Sequence, residues 1–197
     1  MRLSNLISTS FLSKTKTILF VIALLTVSGT VTELLGGVWD ASTHALRAPE
    51  KFWTIQHIAI YTGVGMITSS SVLGLMILFL NSENKTLFKG IKIILLGSVL
   101  QLGGGYADSI SHEIYGVDGL VTPSHLTIEV GLFLSALGSF ITLCQIDKIK
   151  TRKIMPVAIM TVLLSASWIG FNLILLFVSV ILCIPVYGLF SSGCAVL

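Results

Sequence analysis

All four histidines of this 197-residue chain fall in two stretches that share one spacing pattern, D-x3-H-x12-H. The two sets are Asp40, His44 and His57, and Asp108, His112 and His125. Two imidazoles and one carboxylate make a three-ligand set that suits a first-row transition metal and leaves coordination positions open for water or substrate. The pattern therefore predicts two similar metal sites.

Most of the chain outside these two sets consists of long apolar segments. Hydrophobic residues make up 54% of the chain, charged residues make up 11%, and the mean hydropathy is +0.96. Apolar runs of about 18 or more residues with few or no charges are typical of membrane-spanning helices. Such runs occur at about 15–37, 55–80, 88–107 and 124–146, and a longer one extends from Met155 to Leu197. We predict an all-α polytopic membrane helix bundle, a single integral membrane domain over residues 1–197. It has six transmembrane helices, with five as the fallback, and the last two form an apolar hairpin over about 154–197.

An internal repeat organises the first four predicted helices. Residues 29–75 align without gaps on residues 97–143, and each copy is a helical hairpin with its Asp and His residues near the connecting loop. Because the first apolar run is matched by the third, it is not interpreted as a cleaved signal peptide. Two tandem parallel hairpins would be related by an axis along the membrane normal, which places the two predicted sites near each other at one depth.

Lysine and arginine set the expected orientation, because cytoplasmic loops carry an excess of them. They cluster in the N-terminal segment, in the connection between the second and third helices, and after the fourth helix. We therefore predict a multi-pass protein of the cell membrane with a cytoplasmic N-terminus and with both histidine stretches at the outer face. The net charge of +3 reflects this topology. The expected partner is the lipid bilayer, and nothing in the sequence indicates nucleic acid.

Two acids lie within the apolar spans. Glu33 precedes Asp40 by two helical turns, and Glu129 follows His125 by one turn. Intramembrane acids are costly and usually face a cavity or a partner. We expect Glu33 and Glu129 to hydrogen-bond a metal-ligating imidazole and so orient it, or to form a proton path. The alternative is that each acid extends its carboxylate to the membrane interface.

The D-x3-H-x12-H pattern on an outer hairpin, together with "FWTIQHIAIY" around His57, resembles the C-type membrane subunit of the copper membrane monooxygenases. That family includes particulate methane monooxygenase and ammonia monooxygenase. The resemblance implies copper as the metal, with zinc or iron as alternatives. It also implies hydroxylation of a small substrate by an oxidoreductase assembled with other membrane monooxygenase subunits. It assigns Asp40, His44 and His57 to a first copper set and Asp108, His112 and His125 to a second.

The chain departs from this family at three points. In the family's second set an asparagine stands where this chain has Asp108, and the gap to the last histidine is slightly longer. The apolar tail beyond Lys153 is a further difference from the compact members. No catalytic residue is assigned on this basis.

Two other classes of function stay open. One is a non-catalytic membrane metal-handling or assembly protein that keeps the site without the chemistry. The other is a structural membrane protein in which the Asp and His groups cap helix ends and bond each other. Haem ligation by the four histidines is disfavoured because both histidines of a hairpin lie at the same end beside a carboxylate. If metal binds, metal–ligand bonds of roughly 2 Å require the donor atoms of each set to lie about 3–4 Å apart.

Overall fold

The computed structural model describes the backbone of residues 3–45, 53–80, 88–115, 122–146 and 148–178. It describes the side chains of these residues except those of 3–14, 44, 45, 112, 115, 148 and 150. The helices are α1 (Leu3–Ala45), α2 (Ile55–Leu80), α3 (Lys89–Tyr115), α4 (Pro123–Cys144), α5 (Lys148–Thr151) and α6 (Met155–Leu176).

The predicted all-α membrane bundle is confirmed by five helices that are long and apolar enough to cross a bilayer. Among the described residues these spans are Thr15–Thr43, Ile55–Leu80, Lys89–Ser111, Pro123–Cys144 and Met155–Leu176. The second half of the predicted C-terminal hairpin, residues 179–197, lies outside the described residues, so the sixth span stays a prediction.

Helices α1 and α3 continue past the ends predicted for the first and third apolar runs. Each remains helical through its glycine cluster and through Asp40 or Asp108, ending at Ala45 and Tyr115. The hydropathy of the sequence falls at these aspartates, whereas the backbone hydrogen bonding of the helix does not depend on hydropathy. The aspartates therefore lie on rigid helical backbone rather than in a loop.

The first four helices close into a ring in which each packs on its neighbours. Helix α1 packs on α2, α2 on α3, α3 on α4, and α4 back on α1, while α6 packs on α4 and α1 from outside. Short connections make α1 and α2 antiparallel, and likewise α3 and α4, so the ends of α1 and α3 meet the starts of α2 and α4. All residues that carry the predicted sites lie at this end of the bundle, which we call the site end.

Glycines bring the helices of each hairpin into backbone contact. A Cβ built on Gly63 would lie 2.6 Å from the carbonyl oxygen of Gly29, and a Cβ built on Gly131 would lie 2.6 Å from that of Gly97. Small residues permit such close approach between membrane helices, where packing and not water exclusion holds helices together. This approach fixes the height of each aspartate relative to the histidine on the facing helix.

The buried ionisable and amide side chains lie near the site end of the bundle, whereas the interior toward the opposite end holds large apolar side chains and buried hydroxyl groups. Buried polar residues include Glu33, Asp40, His57, Gln101 and Asp108, whereas large apolar side chains such as Phe79 and Leu80 are exposed. Toward the opposite end the interior contains an apolar cluster formed by Leu19, Ile22, Ile67, Ile77, Phe88, Ile91, Ile94, Leu132 and Ile146, with the bonded hydroxyls of Thr26 and Ser70 among the buried groups. Polar groups inside and apolar groups outside are what a lipid environment requires.

We predict that two glycines on helix α2 differ sharply in their tolerance of alanine. Gly63→Ala should lower the free energy of unfolding by about 1–3 kcal/mol, because its Cβ would overlap the backbone of α1. Gly65→Ala, where the added Cβ meets nothing within 4 Å, should leave stability unchanged or raise it by up to about 1 kcal/mol through helix propensity. Thermal unfolding in detergent micelles measures both, and equal effects would contradict the close approach.

Candidate functional site

The first histidine–aspartate contact joins the end of α1 to the start of α2. His57 Nε2 lies 3.2 Å from Asp40 Oδ1, and the two side chains are 6% and 7% exposed. The backbone N–H of His57 donates to Thr54 Oγ1 across 3.5 Å, which holds the first turn of α2. Asp40 and His57 are thus a buried pair held by two helix ends.

The second contact joins the end of α3 to the start of α4 in the same way. His125 Nε2 lies 3.1 Å from Asp108 Oδ1. Ser124 Oγ donates to the same carboxylate oxygen across 3.0 Å. Thr122 caps α4 by accepting the backbone N–H of His125 at 3.2 Å, and Pro123 occupies the first turn. This capping fits the preference of N-cap positions for a side-chain oxygen and of the first turn for proline.

Each of the two histidine–aspartate contacts can serve either as a hydrogen bond or as a pair of metal ligands. A carboxylate oxygen only accepts hydrogen bonds, so an imidazole that carries a hydrogen on Nε2 can donate it to the aspartate. If the hydrogen leaves, the same nitrogen and oxygen become a pair of metal ligands directed at one point. The distances of 3.2 and 3.1 Å suit a hydrogen bond and also suit two ligands of one metal ion.

The other histidine of each set belongs to the helix that carries the aspartate. The backbone of α1 is helical through residue 44 and that of α3 through residue 112. The side chains of His44 and His112 lie outside the described residues. Within the described side chains, no group of three or more His, Cys, Asp or Glu is arranged to hold a metal ion. In each set the structure therefore describes two of the three predicted metal ligands, one aspartate and one histidine.

The two pairs border one cavity of about 70 Å³ between the first four helices and α6. A cavity of this size has room for several water molecules. The sequence predicted two sites near each other, and the structure places both pairs, with Glu33 and Glu129, on one shared space. Its lining comprises Glu33, Leu34, Gly37, Asp40, His57, Ile60, Tyr61, Asp108, His125, Ile128, Glu129, Leu132 and Trp168.

Helix α6 closes one side of the cavity and holds Glu129. Trp168 Nε1 donates to Glu129 Oε1 across 2.9 Å, and Asn172 Nδ2 donates to the same oxygen. The other carboxylate oxygen, Oε2, has no hydrogen-bond partner among the described residues. The α6 contribution was missed in the sequence analysis. The buried residues of α6 are small or polar and follow helical spacing: Ala158, Thr161, Ser165 and Asn172. Such a stripe in an otherwise apolar helix could have indicated that α6 packs against the site.

Glu33 lies deeper in the bundle than the histidine–aspartate pairs. Its side chain is 3% exposed, and neither carboxylate oxygen has a hydrogen-bond partner among the described residues. Gln101 on α3 occupies the matching position of the sequence alignment; it is 1% exposed, and its amide atoms also lack a partner there. Tyr61, which matches Glu129 in the alignment, donates from its hydroxyl to the carbonyl of Gly105 across 3.5 Å. The two acids thus lie on α1 and α4, and their neutral counterparts lie on α3 and α2.

We predict that Asn172 and Glu129 are coupled in stability. Asn172→Leu should cost about 1–2 kcal/mol, because the buried Glu129 carboxylate loses one of its two donors. Adding Glu129→Leu should recover part of this loss, since removing both partners leaves no unsatisfied buried group. The measurement is a double-mutant cycle by thermal unfolding in detergent. Additive losses would contradict the coupling.

Comparisons with known proteins give this chain no established relative. No protein-family model, no curated protein and no solved structure matches it. The resemblance to the copper membrane monooxygenases rests on the spacing of the two Asp–His sets and on the residues around His57.

Proposed function

We propose that this protein binds copper within the membrane at the two histidine–aspartate pairs and is a divergent relative of the C-type membrane subunit of a copper-dependent ammonia- or methane-type monooxygenase. The observation that carries the proposal is the pair of buried contacts, Asp40 with His57 and Asp108 with His125, at 3.2 and 3.1 Å on one cavity. Two nitrogen–oxygen donor pairs buried beside a cavity are a costly arrangement in a membrane bundle and usually mark function.

The donor chemistry fits a first-row transition metal. Imidazole nitrogen with carboxylate oxygen suits Cu²⁺, and also zinc or iron, whereas an all-oxygen set would suit magnesium or calcium. His44 and His112 would complete the two sets, because each lies four residues beyond its aspartate on continuous helix. Copper bound there would supply redox chemistry toward dioxygen.

Neighbouring residues of this chain hold the metal-ligating side chains in place. The Ser124 hydroxyl fixes the Asp108 carboxylate, and the caps at Thr54 and Thr122 fix the turns that carry the two histidines. Hydrogen bonds from a second layer orient metal ligands and raise affinity.

The tandem repeat and the orientation belong to the same proposal. Support for the repeat comes from matched close contacts: Gly29 with Gly63 and Gly36 with Ile60 in one hairpin, and Gly97 with Gly131 and Gly104 with Ile128 in the other. Six spans with the N-terminus in the cytoplasm would place the site end at the outer face, where the other subunits of a monooxygenase would supply further residues. A membrane metal-handling protein would use the same site without such partners.

Copper content tests the proposal. Protein purified from its native membrane should contain copper, and His57→Ala and His125→Ala should each remove about one metal ion per chain because each opens one three-ligand set. Tyr106→Phe is the matched control, since Tyr106 is 71% exposed on the same part of α3. Elemental analysis measures the content. If copper content is unchanged in both histidine variants and chelators do not alter thermal unfolding, the proposal is wrong. The Asp and His groups would then have only a structural role in capping helix ends.

The orientation has its own test. In a chain with Cys144, Cys183 and Cys194 replaced by serine, we expect Trp53→Cys to react with a membrane-impermeant maleimide in intact cells. Lys89→Cys, at the other end of the bundle, should react only after lysis. Trp53 is 74% exposed and Lys89 begins α3, so both positions are reachable. The reverse labelling pattern would place the site end in the cytoplasm.

A further inference from the structure

The carboxyl groups that border the cavity differ in the number of polar partners that stabilise them. Its lining contains the carboxyl groups of Asp40, Asp108, Glu33 and Glu129 and the imidazoles of His57 and His125. Each aspartate contacts an imidazole, and Glu129 accepts hydrogen bonds from Trp168 and Asn172. Glu33 alone among these acids has both oxygens buried without a hydrogen-bond partner in the described part of the chain.

An isolated buried carboxylate ion is too costly for a low-dielectric interior, and such a group stays neutral unless a cation is near. The counterpart of Glu33 in the sequence alignment illustrates the neutral state. Gln101 has nearly the same shape, carries no charge and is equally buried on α3. Packing at this level of the bundle thus accepts a neutral side chain of this shape, and a glutamate differs from it chiefly in having a proton to lose.

We propose that Glu33 is the charge-balancing acid of the cavity, which holds a proton while no added cation is present and releases it when a divalent metal binds at the histidine–aspartate pairs. This inference rests on the proposed function. On metal entry the O–H bond of the Glu33 carboxyl breaks, the electron pair stays on the carboxylate, and the proton passes to bulk water. One positive charge thus leaves the cavity for the two that the first bound metal ion brings.

The position of Glu33 suits an indirect role. It lies two helical turns from Asp40, about 10 Å along the axis, so it would compensate charge through the cavity rather than as a ligand. The titratable groups that border the same cavity are Asp40 on its own helix, His57 and Tyr61 on α2, Asp108 on α3, and His125 and Glu129 on α4. The described residues of α6 bring tryptophan and asparagine to Glu129 and no titratable group.

The cavity connects Glu33 with the pairs. Its lining includes Glu33 as well as Asp40 and His57, which lie at the site end. We therefore expect a proton released from Glu33 to leave toward the site end, where the metal would bind.

Proton counting during metal binding tests this inference. The full-length chain in weakly buffered detergent solution is titrated with Cu²⁺ in a pH-stat, and bound copper is measured on the same sample. Glu33→Gln should bind the same amount of copper while releasing about one proton fewer per chain than the wild type, because metal binding displaces protons from titratable groups. Glu113→Gln, an exposed acid on α3, should not change the count.

The outcomes separate the two proposals. If the wild type binds no copper, the proposed function and this inference both fail. If copper binds and Glu33→Gln releases as many protons as the wild type, only this inference is overturned. Should Glu33→Gln fail to fold, Glu33→Leu, which removes the polar group from the bundle interior, is titrated in its place, and a proton count equal to that of the wild type overturns the inference.

Discussion

Backbone contact between paired helices is the constraint on which the site depends. At Gly29 and Gly63, and again at Gly97 and Gly131, each glycine Cα approaches a carbonyl oxygen of the facing helix so closely that no side chain would fit. Each contact fixes both the separation and the register of a hairpin. An aspartate beyond it on one helix then meets a histidine on the other within hydrogen-bond distance. A looser hairpin would leave two polar groups exposed to lipid instead of facing each other.

The two halves of the site are alike in geometry and unlike in charge. Both hairpins bring an aspartate to a histidine, but the deeper acids fall on α1 and α4, whose counterparts Gln101 and Tyr61 lie on the opposite side of the ring. Helix α6 packs on α1 and α4 and supplies the donors for Glu129. The added helix therefore covers the acidic side of the cavity, where uncompensated charge would otherwise face lipid.

Sequence periodicity and composition predicted the all-α membrane architecture because apolar runs of bilayer length leave the backbone few alternatives to a helix. The apolar runs stop at about 37 and 107, because hydropathy falls toward Asp40 and Asp108, whereas the helices continue to Ala45 and Tyr115. Spacing placed His57 and His125 at helix starts facing these aspartates. It did not reveal the shared cavity or the role of Trp168, because both arise from contacts between helices far apart in the chain. The roles of His44 and His112 stay predictions.

The confinement of the ionisable groups to one end of the interior has an electrical consequence. A transmembrane voltage falls mainly across the layer of lowest dielectric constant, and moving one charge through the full potential involves about 2.3 kcal/mol per 100 mV. The large apolar side chains, Leu19, Ile22, Phe88 and Ile91 among them, lie on one side of the cavity. A metal ion bound from the site end, as proposed, would therefore cross only a small part of the field, and its affinity would depend little on the membrane potential.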